Sequence, residues 1–155
     1  MPEKDAQLLT LFKKAQLSFS RMYTAILSNA DVTLPQFAVL NLLSQCDSPI
    51  PMSKASQGLE LSKPAITNLV DRLEEKNLLK RIPDPNDRRV HLLEIQPEGK
   101  RISDSIQEDA LSVVWKSIEN FSSEEKKVIT HFYEEIVKNL VSKMESCCKM
   151  KDKQC

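Results

Sequence analysis

The chain has 155 residues, 41% hydrophobic and 28% charged, which suits one globular domain with a real core and excludes disordered and collagen-like classes. Its 22 basic and 22 acidic residues cancel, and only the middle third is positive, with ten basic against eight acidic side chains over residues 53–101. Charge alone therefore argues weakly for a nucleic-acid partner, and the two glycines exclude a glycine-rich phosphate loop.

The opening stretch MPEKDAQLLTLFKKAQ mixes acids with bases. No run approaches the ~20 apolar residues of a membrane span, so the expectation is a cytoplasmic protein without membrane contact. Four cysteines, Cys46, Cys147, Cys148 and Cys155, have neither the density nor the signal of a disulfide scaffold and are expected to be reduced.

In chain order, Leu8, Phe12, Ala15, Phe19, Tyr23 and Ile26 recur at helical spacing and predict a first helix from about Asp5 to Asn29. In VTLPQF, Thr33 caps, Gln36 returns the bond, Pro35 fills the first turn and Val32 staples to Phe37, which predicts a second helix from Leu34 to about Gln45. CDSPIP breaks it. Ser53 to Gly58 is a short helical segment, and a stronger helix begins with Ser62 as its cap. There Ile66, Leu69, Val70 and Leu73 form an apolar stripe opposite Pro64, Thr67, Asn68 and Asp71, and Asn77 suits a left-handed ending.

Two short helices joined by a tight link, the second with a small polar outer face, predict a helix-turn-helix. LLKRI and RVHLLEI read as strands of a wing around a type I turn at DPND, with Val90 and Leu92 on one face and Arg89 and His91 on the other. Pro97 opens a further helix with Ile102, Ile106, Ala110, Val113 and Val114 inward. SSEE at Ser122 caps a last one with Ile129, Phe132, Ile136, Leu140 and Met144 inward.

A helix seated in a major groove leaves a hairpin free to reach the adjoining minor groove, whose potential attracts arginine. Arg88 and Arg89 at a stiff turn suit that role, with Asp87 expected to hold the Arg89 guanidinium extended and Lys80 and Arg81 to meet phosphates. Ser62, Lys63 and Pro64 place the helix N-terminus against a phosphate, Thr67 and Asn68 are the base-reading pair, and Arg72 either reaches a phosphate or pairs with Glu75.

The stretches LSKPAITNLVDRLEEKNLLKR and DPNDRRVHLLEIQPEGK resemble the recognition helix and wing of the MarR family of bacterial and archaeal transcription regulators, and the likeness runs from about residue 8 to 145. Asn68 stands where many members have arginine, Gln96 where threonine often caps, and Asn77 where glycine is common. The resemblance implies a mainly α fold in one domain, a winged helix-turn-helix lobe over residues 30–98 flanked by dimerisation helices over 1–29 and 99–146, with a Cys/Lys tail over 147–155. It implies a homodimer on a pseudo-palindromic duplex, acting as a repressor. It also implies release by a small aromatic effector, with Tyr23, Phe37 and Trp115 near the pocket.

Two long helices beside a small lobe leave much apolar surface uncovered, which also favours dimerisation. The alternatives are a redox sensor working through Cys46 or the cysteine tail, and a winged-helix module whose arginines engage an acidic protein. Adjacent cysteines chelate poorly, His91 and His131 sit on separate elements, and no catalytic constellation is present, so neither a metal, a cofactor nor enzymatic activity is expected.

Overall fold

The computed structural model describes residues 3–87 and 89–151, with side chains over 6–87 and 89–143. In chain order the elements are α1 (Glu3–Asn29), α2 (Leu34–Ser44), β1 (Ile50–Pro51), α3 (Met52–Gly58), α4 (Lys63–Glu75), β2 (Leu79–Pro83), β3 (His91–Ile95), α5 (Pro97–Ile118) and α6 (Ser123–Lys151). They fall into two compact units that divide within α5, one up to Ser112 and one from Val113. This is a mainly α architecture with a small antiparallel sheet.

Local hydrogen bonding sets the helix boundaries. The Thr33 backbone N–H donates to Gln36 Oε1 at 2.9 Å, and the Gln36 N–H donates back to Thr33 Oγ1 at 3.4 Å, so α2 starts with a complete capping box. Ser62 Oγ accepts the Ala65 N–H at 3.4 Å to start α4. Ser122 and Glu125 repeat the box at α6, where hydrogen bonds from the Ser122 hydroxyl and backbone hold the Glu125 carboxyl below its ordinary pKa.

Three helices end the same way. Val32 N–H bonds Leu27 O, Leu61 N–H bonds Ser56 O and Leu78 N–H bonds Leu73 O, at 3.1, 2.9 and 2.9 Å. Asp31, Glu60 and Asn77 take the left-handed position in these turns, at φ of 53°, 53° and 55°. Asn77 was legible from sequence. Glu60 is the costlier occupant, because a long side chain gains nothing there and the left-handed conformation crowds its Cβ. Glu60→Gly is therefore expected to stabilise the fold by about 0.5 to 1 kcal/mol, less than the full relief of strain because glycine loosens the unfolded chain. A urea midpoint that rises at unchanged slope is the confirming measurement.

The sheet order is β1-β3-β2. The two-residue β1 was not anticipated, since SPIP reads only as a breaker, but Pro51 is admissible on an edge strand, where its missing N–H leaves few ladder bonds unmade. Leu79 pairs with Ile95 and Arg81 with Leu93, and Ile50 meets Leu93 from the other side. This register corrects the expected facing of β3. Leu93, not Leu92, is the fully buried residue, at 0% exposure. Leu92, Leu93 and Ile95 are all apolar, so alternation alone could not choose a face, and the neighbouring strands chose it.

The core gathers Val39 and Leu40 of α2, Ile66, Val70 and Leu73 of α4, Leu79 and Leu93 of the sheet, and Ile106 of α5. Val32 and Phe37, the expected staple pair, both belong to it. On α5, Ile106 and Ala110 are buried, but Val113 is exposed. On α6, Ile129 and Ile136 are half-buried while Phe132 and Leu140 are exposed, and Met144 lies outside the described side chains.

Candidate nucleic-acid interface

Helix α4 splits along its length. Ile66, Val70 and Leu73 are buried and Leu69 is half-buried, while Ser62, Lys63, Pro64, Thr67, Asn68, Asp71 and Arg72 are all exposed. The outward polar strip thus stands where periodicity placed it. Lys63 and Arg72 have no ion-pair partner among the described residues, and the expected alternative pairing of Arg72 with Glu75 does not form. Arg72 and Glu75 instead border an open cleft of about 410 Å³ with Asp31, Gln36 and Lys76, and Lys76 is held there by Asp31 at 2.9 Å.

Side-chain hydrogen bonding separates the two expected base readers. The Thr67 hydroxyl donates to Lys63 O one turn back at 2.8 Å and lies 3.7 Å from Met52 Sδ of α3. Its hydroxyl is therefore engaged by its own lobe. Asn68 has no such bond among the described residues, so its amide stays available on the exposed face.

The wing differs from expectation in its details. Asp87 Oδ1 accepts the backbone N–H of Arg89 at 3.0 Å, so this carboxylate shapes the turn rather than holding the guanidinium. Asp84 Oδ1 does the same for Asn86 at 2.8 Å. The backbone bond three residues long runs from Val90 N–H to Asp87 O, one turn later than DPND suggested, and Asp84 N–H closes the loop on Val90 O. Arg89 is exposed and has no ion-pair partner among the described residues. Arg88 lies outside the described residues.

Lys80 and Arg81, expected to meet phosphates, are both engaged within the lobe. Lys80 pairs with Glu94 directly across the β2–β3 ladder. Arg81 extends one guanidinium nitrogen to Glu74 and another to Asp71, and its side chain is only 21% exposed. Burial works against this charge, but hydrogen bonds and Coulomb attraction from Asp71 and Glu74 outweigh it and raise the pKa above the ordinary arginine value. The physical reason is chain reversal. The left-handed Asn77 turns the strand back along α4, which sets residue 81 beside residues 74 and 71. Two acids three apart on a helix that leads into a basic strand were the available signal for this pairing.

Three aromatic residues, Tyr23, Phe37 and Trp115, carry the effector expectation. Tyr23 and Phe37 have ring centroids 6.2 Å apart at 54°, but Phe37 is buried in the core and offers little surface to a ligand. Trp115 belongs to the unit from Val113 and is 67% exposed. Cys46 is half-buried, donates to Leu42 O at 3.3 Å and packs against the core, beside a cleft of about 150 Å³. The side chains of Cys147 and Cys148, and all of Cys155, lie outside the described residues. Among the described residues no cluster of His, Cys, Asp or Glu could hold a metal, and no helix is long and apolar enough to cross a membrane.

Helices α3 and α4 joined through a left-handed turn, followed by the β2–β3 hairpin, make a winged helix-turn-helix. The model of the MarR family matches residues 32–91, which takes in α2 through β2 and the wing turn and reaches the first residue of β3. The chain is 31% identical over 100 residues to the HTH-type transcriptional regulator YsmB of Bacillus subtilis (strain 168), covering 64% of this chain and 68% of that one. Its fold superposes on a MarR family protein from Bacillus stearothermophilus at a TM-score of 0.71 and 25% identity, covering 91% and 99% of the two chains. A similar superposition, TM-score 0.71 at 19% identity over 84% and 98%, is found with S. aureus MepR solved as a DNA complex. The chain belongs to the MarR family of helix-turn-helix transcriptional regulators.

Proposed function

We propose that this regulator is a repressor that binds a pseudo-palindromic DNA duplex as a homodimer. The carrying observation is the sorting of charge on the lobe. Lys63 and Arg72 on α4 and Arg89 on the wing are exposed without ion-pair partners among the described residues, while Lys80 and Arg81 on β2 are neutralised. In this reading the N-terminus of α4, with Ser62, Lys63 and Pro64, meets a phosphate and Arg88 another. The free Asn68 amide reads base edges, Thr67 meets bases with its methyl, Asp87 sets the wing turn, and Arg89 enters the minor groove. Arg81 leaves the set of phosphate contacts.

Exposed apolar side chains support a second copy. Leu8, Leu11 and Leu17 on α1, and Phe132, Val137 and Leu140 on α6, are all exposed. A dimer would place two lobes about 34 Å apart, one helical turn of duplex. Release by a small aromatic effector follows from the family alone, and such a ligand acts only through different affinities for two lobe spacings.

The test is selection from a random duplex pool. The expected result is an inverted repeat, bound with a salt dependence near −5 on log-log axes, from about three neutralised phosphates per protomer. No enrichment of any duplex would end this reading, as would strictly monomeric behaviour at working concentration.

A further inference from the structure

Asp71 and Glu74 lie three residues apart on α4, so their carboxylates rise on one side of the helix, and Arg81 faces them from β2. Glu74 accepts the Arg81 backbone N–H at 2.9 Å with one oxygen and Nη1 with the other, while Nη2 reaches Asp71. Three bonds thus tie the helix proposed for the major groove to the strand that leads to the wing tip.

An ion pair with Asp71 half exposed adds little to stability, and two carboxylates beside a phosphate-binding face would repel DNA if left alone. What a planar fork fixed at both ends does supply is geometry. β2 continues to the turn that carries Arg89, so any rotation of β2 against α4 is amplified at that tip.

We infer that Arg81 is a positioning residue for DNA recognition: its fork onto Asp71 and Glu74 sets the spacing of wing and recognition helix, so that Arg89 and the outward face of α4 engage adjacent grooves together. This rests on the lobe being a duplex-binding surface. It assigns the two acids a constructive part in binding a polyanion, against their own charge.

That opposition of signs supplies the experiment. The double substitution Asp71→Asn with Glu74→Gln makes each protomer more positive while dismantling the fork. Affinities are measured for the duplex selected by the wild-type protein and for random duplex, on protein checked for folding by circular dichroism. The expected outcome is a rise in random-duplex affinity, a fall of about tenfold in the ratio of selected to random binding, and loss of hydroxyl-radical protection where the wing meets the minor groove.

Arg81→Lys keeps the charge but cannot span both acids, and is expected to recover only part of the ratio lost in Arg81→Met. If Arg81 were instead a phosphate contact in reserve, freeing it would tighten selected-duplex binding and leave protection intact, and the inference would fall. It would equally fall if the double variant melted earlier yet kept the ratio, or if Arg81→Lys restored it fully. Failure of the wild-type protein to select any duplex would be a different failure, that of the DNA-binding reading itself.

Discussion

Gly99→Ala is expected to destabilise the protein by about 3 kcal/mol or more, although it replaces a helical glycine with the best helix former. A Cβ on Gly99 would stand 2.0 Å from Leu78 O, 2.9 Å from Leu78 C and 3.2 Å from Leu40 Cδ2. The obstructing atom is backbone and is pinned twice, since Leu78 N–H bonds Leu73 O and Leu78 O accepts the Gln96 N–H at 3.0 Å. The first turn of α5 must therefore lift away from the lobe. Helix propensity favours alanine by about 1 kcal/mol, and the clash opposes it by more, so packing decides the sign. Gly58→Ala is the internal control. Its Cβ would meet only Leu42 side-chain atoms at 3.6 and 3.8 Å, which is ordinary contact, so it is expected to be neutral or slightly stabilising. Equal denaturation midpoints for the two variants would refute this account of the α4–α5 junction.

Arg89→Ala is expected to weaken binding to the selected duplex by about 1 to 3 kcal/mol while leaving the melting temperature unchanged. Arg89 is exposed, and the Asp87 bond that shapes its turn uses the Arg89 backbone N–H, which alanine retains. The loss should thus be one of contact, not of fold. An accompanying decrease in the salt slope would mark the guanidinium as a neutralised-phosphate equivalent, and relaxed preference at the flanking A·T positions would mark minor-groove reading. Undiminished duplex affinity would favour a wing that serves an acidic protein partner.

Much of the fold was legible because its signals act over a few residues. Capping boxes at Thr33 and Ser122, the Ser62 cap and the left-handed Asn77 are each satisfied by atoms three to five positions away. The stripe along α4 needs only the helical period. Where the reading and the structure part, partners come from farther along the chain or from competing local atoms. Its place two residues before Arg89 across the bend points Asp87 to the guanidinium, but the nearer backbone N–H takes the carboxylate.

The sequence by itself determined the helices and the capped starts of α2, α4 and α6, the left-handed end of α4, the position of the wing and the outward strip of α4, since each depends on bonds that a short segment makes with itself. Only the tertiary structure decided that Arg81 faces Asp71 and Glu74, that Leu93 rather than Leu92 turns inward, that Ile50 and Pro51 form an edge strand, and that Gly99 tolerates no side chain. These four outcomes share a cause. Each depends on which surface a folded chain lays alongside a residue, and burial, ion pairing and steric exclusion follow from that neighbour rather than from the residue's own propensities.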